Sequence, residues 1–303
     1  MTWPLDCIRS NEPLAKHTSF RIGGPAEWFA EPATMDELID LMREARRAGV
    51  PVCVVGGGTN LLVADRGLRG LMIHLGRAFR TVELLNDQPE AGEARVRCGA
   101  AVTTQHLVML ACRHGWGDVE LLAGLPGQIG GAVSMNAQNI GRFVDQVTLV
   151  TVAGTVRHLT PGELRFAYRY TALEPGVVVS ADLRFPTVPP EASTERIQSA
   201  LRYRNTTQDV CLPSAGCAFK NPAGMPAGRL IDQAGLKGAR IGDAQVSQRH
   251  ANFIVNLGYA TCEDVLSLME HIQRGVAQRT GVWLEPEVRV LGERWDNRQI
   301  GGR

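Results

Sequence analysis

Two segments of this chain put glycine where a phosphate group would need bare backbone. From Val55 through Gly56, Gly57, Gly58, Thr59, Asn60 and Leu61, an apolar β-branched run passes into three glycines. Their unshielded N–H groups can approach a pyrophosphate, and Thr59 and Asn60 add side-chain donors. A second glycine-rich turn, from Gly124 to Asn136, holds Pro126, Gly127, Gly130, Gly131 and Ser134. Neither segment fits the G-x-G-x-x-G dinucleotide fingerprint or the P-loop with its lysine, so a nucleotide held here needs a site of another kind. The alternative is two tight turns that use glycine at positive φ. Two further residues, Cys217 and Glu287, offer acid–base chemistry, and a third, Arg169, a fixed positive charge. A thiol such as Cys217 is a far stronger acid than an alcohol, with an ordinary pKa of about 8.5. The fork of Arg169 suits bidentate recognition of a carboxylate, and Glu287 can carry a proton if its site keeps it protonated. Singly, each has a plainer reading: a buried apolar cysteine, a surface cation, an edge-strand charge. Cys217 with His250 as base would instead suit a thiol hydrolase or acyl transferase.

The motifs GGGTNLLV and AGLPGQIGGAVSMN resemble the flavin-binding loops of the MurB family of UDP-N-acetylenolpyruvoylglucosamine reductases. The resemblance continues through Asn11 to Gly24, Tyr168-Arg169, Pro213 to Pro222, Ala227 to Gly238, Ser247 to Asn256 and Leu284 to Arg289, in the family's order and over nearly the whole chain. It implies a non-covalent FAD, NADPH as co-substrate, and reduction of UDP-N-acetylglucosamine-enolpyruvate to UDP-N-acetylmuramate for peptidoglycan. Both glycine segments, Val55 to Leu61 and the glycines, Pro126, Ser134 and Asn136 of the second, then become cofactor-binding, with Arg169 beside them. Arg169, Cys217 and Glu287 match the family's catalytic positions. Tyr168, Lys220, Asn221, His250 and Arg289 fall in motifs that imply contact with the UDP-sugar. Arg289, two residues beyond Glu287, is expected on the same strand face.

The match has departures. Cys217 stands where the family commonly has the serine that returns a proton to the reduced substrate. Ala137-Gln138-Asn139-Ile140-Gly141 replaces the usual alanine, glycine and aromatic, and Thr171 replaces a serine while keeping the hydroxyl. The short stretch after Arg169 resembles the family's compact subtype. Another oxidoreductase with the same flavin-binding domain, such as a sugar or lactone oxidase, would share the glycine loops. Such an enzyme would not call for the motifs around Cys217, His250 and Glu287.

The elements that must position these residues are short. Thr34 to Glu37 reads as a capping box opening a helix that ends near Gly49, and Thr104 to His114 reads as a helix closed by Gly115. Strands are expected at 52–55, 71–75, 81–85, 94–98 and 251–256, with strand-like pattern over 147–185 and a last strand over 285–291. The segment from Pro186 to Ser193 reads as a linker, and 214–228 as loop or turn. A helix is expected over 195–203, another from about Gly228, and a third after the capping box Thr261 to Asp264. The elements read as α+β, and the resemblance implies a two-lobed FAD-binding domain of the PCMH / vanillyl-alcohol-oxidase type over 1–190 (lobes about 1–78 and 79–190), then a smaller α+β substrate-binding domain over 191–303. The final strand is a candidate to return to the first domain, and the tail from Asp296 reads as disordered.

At 303 residues with 32 basic against 31 acidic side chains, the chain has no overall field to draw in nucleic acid or an anionic membrane, so an anionic ligand must be held locally. Its apolar runs are far shorter than the roughly 20 residues that span a bilayer. The expectation is a cytoplasmic protein, a monomer or weak homo-oligomer, with no nucleic acid or membrane partner. Its seven cysteines show neither zinc nor disulfide spacing, so no metal is expected.

Overall fold

The computed structural model describes Trp3 and residues 7–86, 92–209 and 211–292; the expected disordered tail lies outside them. In the first lobe β1 (Ile8–Pro13) runs antiparallel to β2 (Pro25–Ala30), and β2 and β3 (Val52–Val54) both lie parallel to β5 (Leu68–Ile73). β4 (Leu61–Val63), which follows the first glycine segment, stands outside this sheet. α1 (Met35–Ala48) buries Leu38, Leu41, Met42 and Ala45, the i, i+3, i+4, i+7 stripe of an amphipathic helix. Thr34 Oγ1 caps it by accepting from the N–H of Glu37 at 3.2 Å. Only half of the expected capping box forms, because the Glu37 carboxylate accepts from Ala33 N–H at 2.6 Å. Gly49 ends the helix at φ 65, where a Cβ would strain the backbone.

The second lobe is an antiparallel sheet in the order β6 (Val82–Leu84), β7 (Glu93–Gly99), β10 (Gly176–Pro186), β8 (Val144–Thr151), β9 (Val156–Leu159). β10 takes the centre because Val177, Val179, Ala181, Leu183 and Phe185 all point into apolar packing. Phe185 sits between Trp116 and Phe143, at ring distances of 5.8 and 5.0 Å. α2 (Thr104–His114), α3 (Ile129–Ser134) and α4 (Pro161–Leu164) fill the connections. One core runs through both lobes, from Leu41 and Ile73 to Leu107, Val147 and Leu183.

Several sequence expectations change here. α5 (Pro190–Thr207) absorbs much of the expected linker, because proline in a first helical turn gives up no N–H that the helix needs. Half of the second glycine segment is α3 rather than turn. Residues 214–217 form β11 (Ser214–Cys217) instead of loop, in a sheet with β14 (Phe253–Asn256), β13 (Ala244–Val246) and β12 (Arg240–Ile241). α6 (Ala227–Gln233) and α7 (Cys262–Thr280) pack on it. The capping box of α7 has both of its hydrogen bonds. The last strand shrinks to β15 (Arg289–Leu291), which pairs parallel with β4. Phe20, Ile22 and Leu62 also enter the core of the C-terminal unit, and Ser19 Oγ donates to Ser214 O at 2.6 Å. The chain's beginning thus braces its end.

Candidate active site

The two glycine segments face each other. A Cβ at Gly57 would lie 2.9 Å from the Gly127 Cα, and one at Gly127 would lie 2.9 Å from Thr59 Oγ1. Thr59 Oγ1 donates to Pro126 O at 3.3 Å. Bare backbone at these positions first permits loop to approach loop. Gly131, by contrast, has open space where a Cβ would stand, while Gly130 is pressed against Ala100. Val55 is buried beneath the first segment, and Gly124 lies under the stem of Arg204, whose Cδ would be 2.9 Å from a Cβ. Ser134 Oγ donates to Gly130 O at 2.7 Å, and Leu61 pairs with Arg289 in the β4–β15 ladder.

Arg169 occupies a tight turn closed by Ala167 and Tyr170, which exchange backbone hydrogen bonds of 3.0 and 3.1 Å. Its φ of 54 is left-handed, an uncommon state for a residue with a Cβ. Arg169 Nε lies 2.7 Å from Glu287 Oε1, with both side chains largely buried. The two groups thus form a close, largely buried ion pair. Burial raises the Glu287 carboxyl above its ordinary range, and Arg169, then Lys220, oppose that rise without cancelling it.

Cys217 ends β11, just after Gly216 at φ 75. Burial, and then the negative charge of Glu287, push its thiol up to about 11; Arg169, Arg204 and a hydrogen bond with Asn252 act in the other direction. The thiol therefore shares one electrostatic neighbourhood with Arg169 and Glu287. It stays protonated at neutral pH, which suits a proton donor and disfavours a thiolate nucleophile. His250 is not among the groups acting on it. The His250 ring packs edge-on against Phe253 at 4.7 Å, its Nδ1 is buried with no hydrogen-bond partner among the described residues, and burial lowers its pKa.

Backbone ties explain how distant residues meet. Phe219 bridges to Pro286, Glu287 N–H donates to Ala218 O at 2.8 Å, and Lys220 N–H donates to Glu285 O at 2.8 Å. The Cys217 strand thus continues alongside the Glu287 segment. Asn252, almost wholly buried, holds both polar groups of Phe219 with its amide, at 3.0 and 2.8 Å. Asn60 reaches out of the first glycine segment: its Nδ2 donates to Glu287 O at 3.2 Å and its own carbonyl accepts from Arg289 N–H. A bend at Val288 separates Glu287 from β15, so the expected shared strand face with Arg289 does not form. Tyr168, mostly exposed, accepts from Asn221 N–H at 3.3 Å through its hydroxyl and lies under the Arg169 guanidinium at 5.6 Å. Asn221 Oδ1 accepts from Ala227 N–H, and Lys220 Nζ pairs with Glu285 at 2.5 Å.

Arg204 escaped the sequence reading. It lies on α5, donates to Leu121 O at 3.4 Å, and acts electrostatically on both Cys217 and Arg169. Burial depresses its ionisation, and no carboxylate pairs with it among the described residues. Nothing in the sequence separates it from neighbouring Arg202, which points outward.

The facing glycine loops, with open space at Gly131, thus lie beside the buried Glu287 carboxyl and Arg169. Residues 26–160 match the family model of the FAD binding domain, so the chain is an FAD-dependent oxidoreductase. Residues 206–291 match the C-terminal domain model of UDP-N-acetylenolpyruvoylglucosamine reductase. A reductase of that name from Geobacter metallireducens is 44% identical over 94% of each chain, and one from Symbiobacterium thermophilum is 42% identical over 94% of this chain and 92% of its own. The crystal structure of UDP-N-acetylenolpyruvylglucosamine reductase (MurB) from Thermus caldophilus superposes with a TM-score of 0.79 at 36% identity, covering 94% of this chain and all of that one. The chain belongs to the UDP-N-acetylenolpyruvoylglucosamine reductase (MurB) family.

Proposed function

We propose that the chain reduces the enol ether double bond of UDP-N-acetylglucosamine-enolpyruvate to UDP-N-acetylmuramate in the cytoplasm, with NADPH as reductant and Cys217 as proton donor. The supporting observation is the convergence of Arg169, Glu287 and Cys217 from three separate segments on one partly dry site. When bound between the glycine loops, FAD supplies the relay of hydride from the nicotinamide to the enolpyruvyl group.

The protein's own groups handle the charge. As hydride adds to one carbon of the double bond, the π pair moves onto the neighbouring carbon and its carboxylate. Arg169 holds that carboxylate with its fork, and a protonated Glu287 donates to it. The Cys217 S–H bond then breaks as the new C–H bond forms, and water later returns a proton to the thiolate. Hydride plus proton add two hydrogens across the double bond, and NADPH leaves as NADP+. Lys220, Asn221 and Tyr168, gathered at the edge of the site, are the groups that would meet the diphosphate and sugar.

Replacing Cys217 tests this assignment. Cys217→Ala should still accept electrons from NADPH but reduce substrate at least about a hundredfold more slowly, within the usual range for a general acid. Cys217→Ser should recover part of that loss. Unchanged turnover in Cys217→Ala would remove the thiol from the mechanism.

A further inference from the structure

We propose that Asn136 is a positioning residue for Arg169, tying the second glycine segment to the turn that presents the arginine fork. The inference rests on the reading of Arg169 as the group that holds the substrate carboxylate.

The Asn136 side chain is almost wholly buried, and both of its polar ends are spent inside the protein. Its Nδ2 donates to Ala167 O at 2.8 Å, and its Oδ1 accepts from Gly141 N–H at 2.9 Å. Ala167 O is the same carbonyl that accepts from Tyr170 N–H to close the Tyr168–Arg169 turn. On the far side of the turn, Thr171 Oγ1 donates to Val133 O at 2.6 Å. The turn is therefore pinned at both ends, to Val133 in α3 and to Asn136, two residues past the helix's end. Such pins are needed because Arg169 itself sits at φ 54. A left-handed non-glycine residue persists only where its surroundings impose it. Asn136 also adopts a left-handed φ, 45, which asparagine tolerates better than most residues.

Without the Asn136 amide, the turn can relax toward ordinary backbone, and the Arg169 fork moves off both Glu287 and the substrate carboxylate. The glycines of both loops remain in place, so the cofactor cradle is affected much less.

Asn136→Gly keeps the left-handed backbone open and deletes the amide, while Asn136→Asp keeps the acceptor for Gly141 and sets a carboxylate oxygen against Ala167 O. Thr171→Val removes the second pin with little change in volume. In anaerobic single-turnover experiments, all three should slow the enolpyruvyl half-reaction by roughly tenfold to a hundredfold, the loss expected for one buried hydrogen bond. That loss should exceed the loss in FAD affinity or in reduction by NADPH by at least tenfold. Hydrogen exchange of the Tyr170 amide should speed up in Asn136→Gly, with the α3 amides still protected. The pH profile should shift as well, since Glu287 loses its lowering partner and ionises at higher pH. Equal losses in FAD binding and in both half-reactions, or unchanged Tyr170 exchange, overturns the proposal. If Arg169→Lys collapses turnover while all three variants stay fast, only the positioning role falls. If Arg169→Lys turns over normally, the role of Arg169 falls and the Asn136 inference with it.

Discussion

Substrate binding should draw a proton from solution onto Glu287. In the structure, burial already raises this carboxyl, and Arg169 at 2.7 Å is the largest influence holding it down. For two unit charges about 4 Å apart, such a pairing is worth about 4 kcal/mol at an effective dielectric of about 20. A substrate carboxylate that takes the Arg169 fork removes much of this attraction and adds a like charge beside Glu287. The change is larger than the 1.36 kcal/mol that shifts an ionisation equilibrium tenfold, so uptake should approach about one proton per site in the pH range where Glu287 is ionised in the free protein. The sign follows: affinity weakens as pH rises, by up to about tenfold per unit where Glu287 is ionised in the free protein. Calorimetric titration of the FAD-loaded protein with substrate, in buffers of different ionisation heat, reads the proton count as a slope. Glu287→Gln should reduce that slope to near zero. A flat slope in the unaltered protein, or an equal slope in Glu287→Gln, would refute the reasoning.

Gly57→Ala should part the two glycine loops, because its Cβ would meet Gly127 backbone at 2.9 Å; an overpacking cost of about 1–3 kcal/mol should lower FAD affinity about tenfold or more in a fluorescence titration. Gly131→Ala, with open space at its Cβ, should keep apo stability and still weaken FAD if the cofactor lies over that backbone. Asn252→Ala strands both polar groups of buried Phe219 and should cost about 2–5 kcal/mol in urea unfolding. Because the buried Cys217 thiol is pushed up to about 11, the substrate half-reaction at saturating substrate should show no thiol-dependent fall through pH 9, and the part of its decline that Cys217→Ser abolishes should set in only as pH rises toward that value.

The residue types carried much of this outcome. Capping residues, the apolar stripes of α1 and α7 and the alternation in β10 mark elements whose local chemistry has little competition. Elements decided by partners were harder to read. β11 is glycine- and alanine-rich and becomes a strand only because β14 lies beside it, and β15 begins only after the bend at Val288, where its pairing with β4 starts. Of the prolines that read as a linker, Pro189 is the N-cap of α5 and Pro190 its first residue. Within the site, the motifs indicated Arg169, Cys217 and Glu287, and the structure brings them together. Where side-chain amides would be spent was not legible: Asn60 and Asn136 lie in loops that resemble cofactor contacts, yet their hydrogen bonds go to the backbones of Glu287 and Ala167. Arg204 was hidden because burial on α5 depends on how the helix lies over Gly124.

The most direct test of the proposed reaction is anaerobic spectroscopy of the FAD-loaded protein. Addition of NADPH should bleach the flavin band, and UDP-N-acetylglucosamine-enolpyruvate should restore it with formation of UDP-N-acetylmuramate. A reduced flavin that the enolpyruvate leaves bleached and only oxygen reoxidises would contradict the assignment and point to an oxidase.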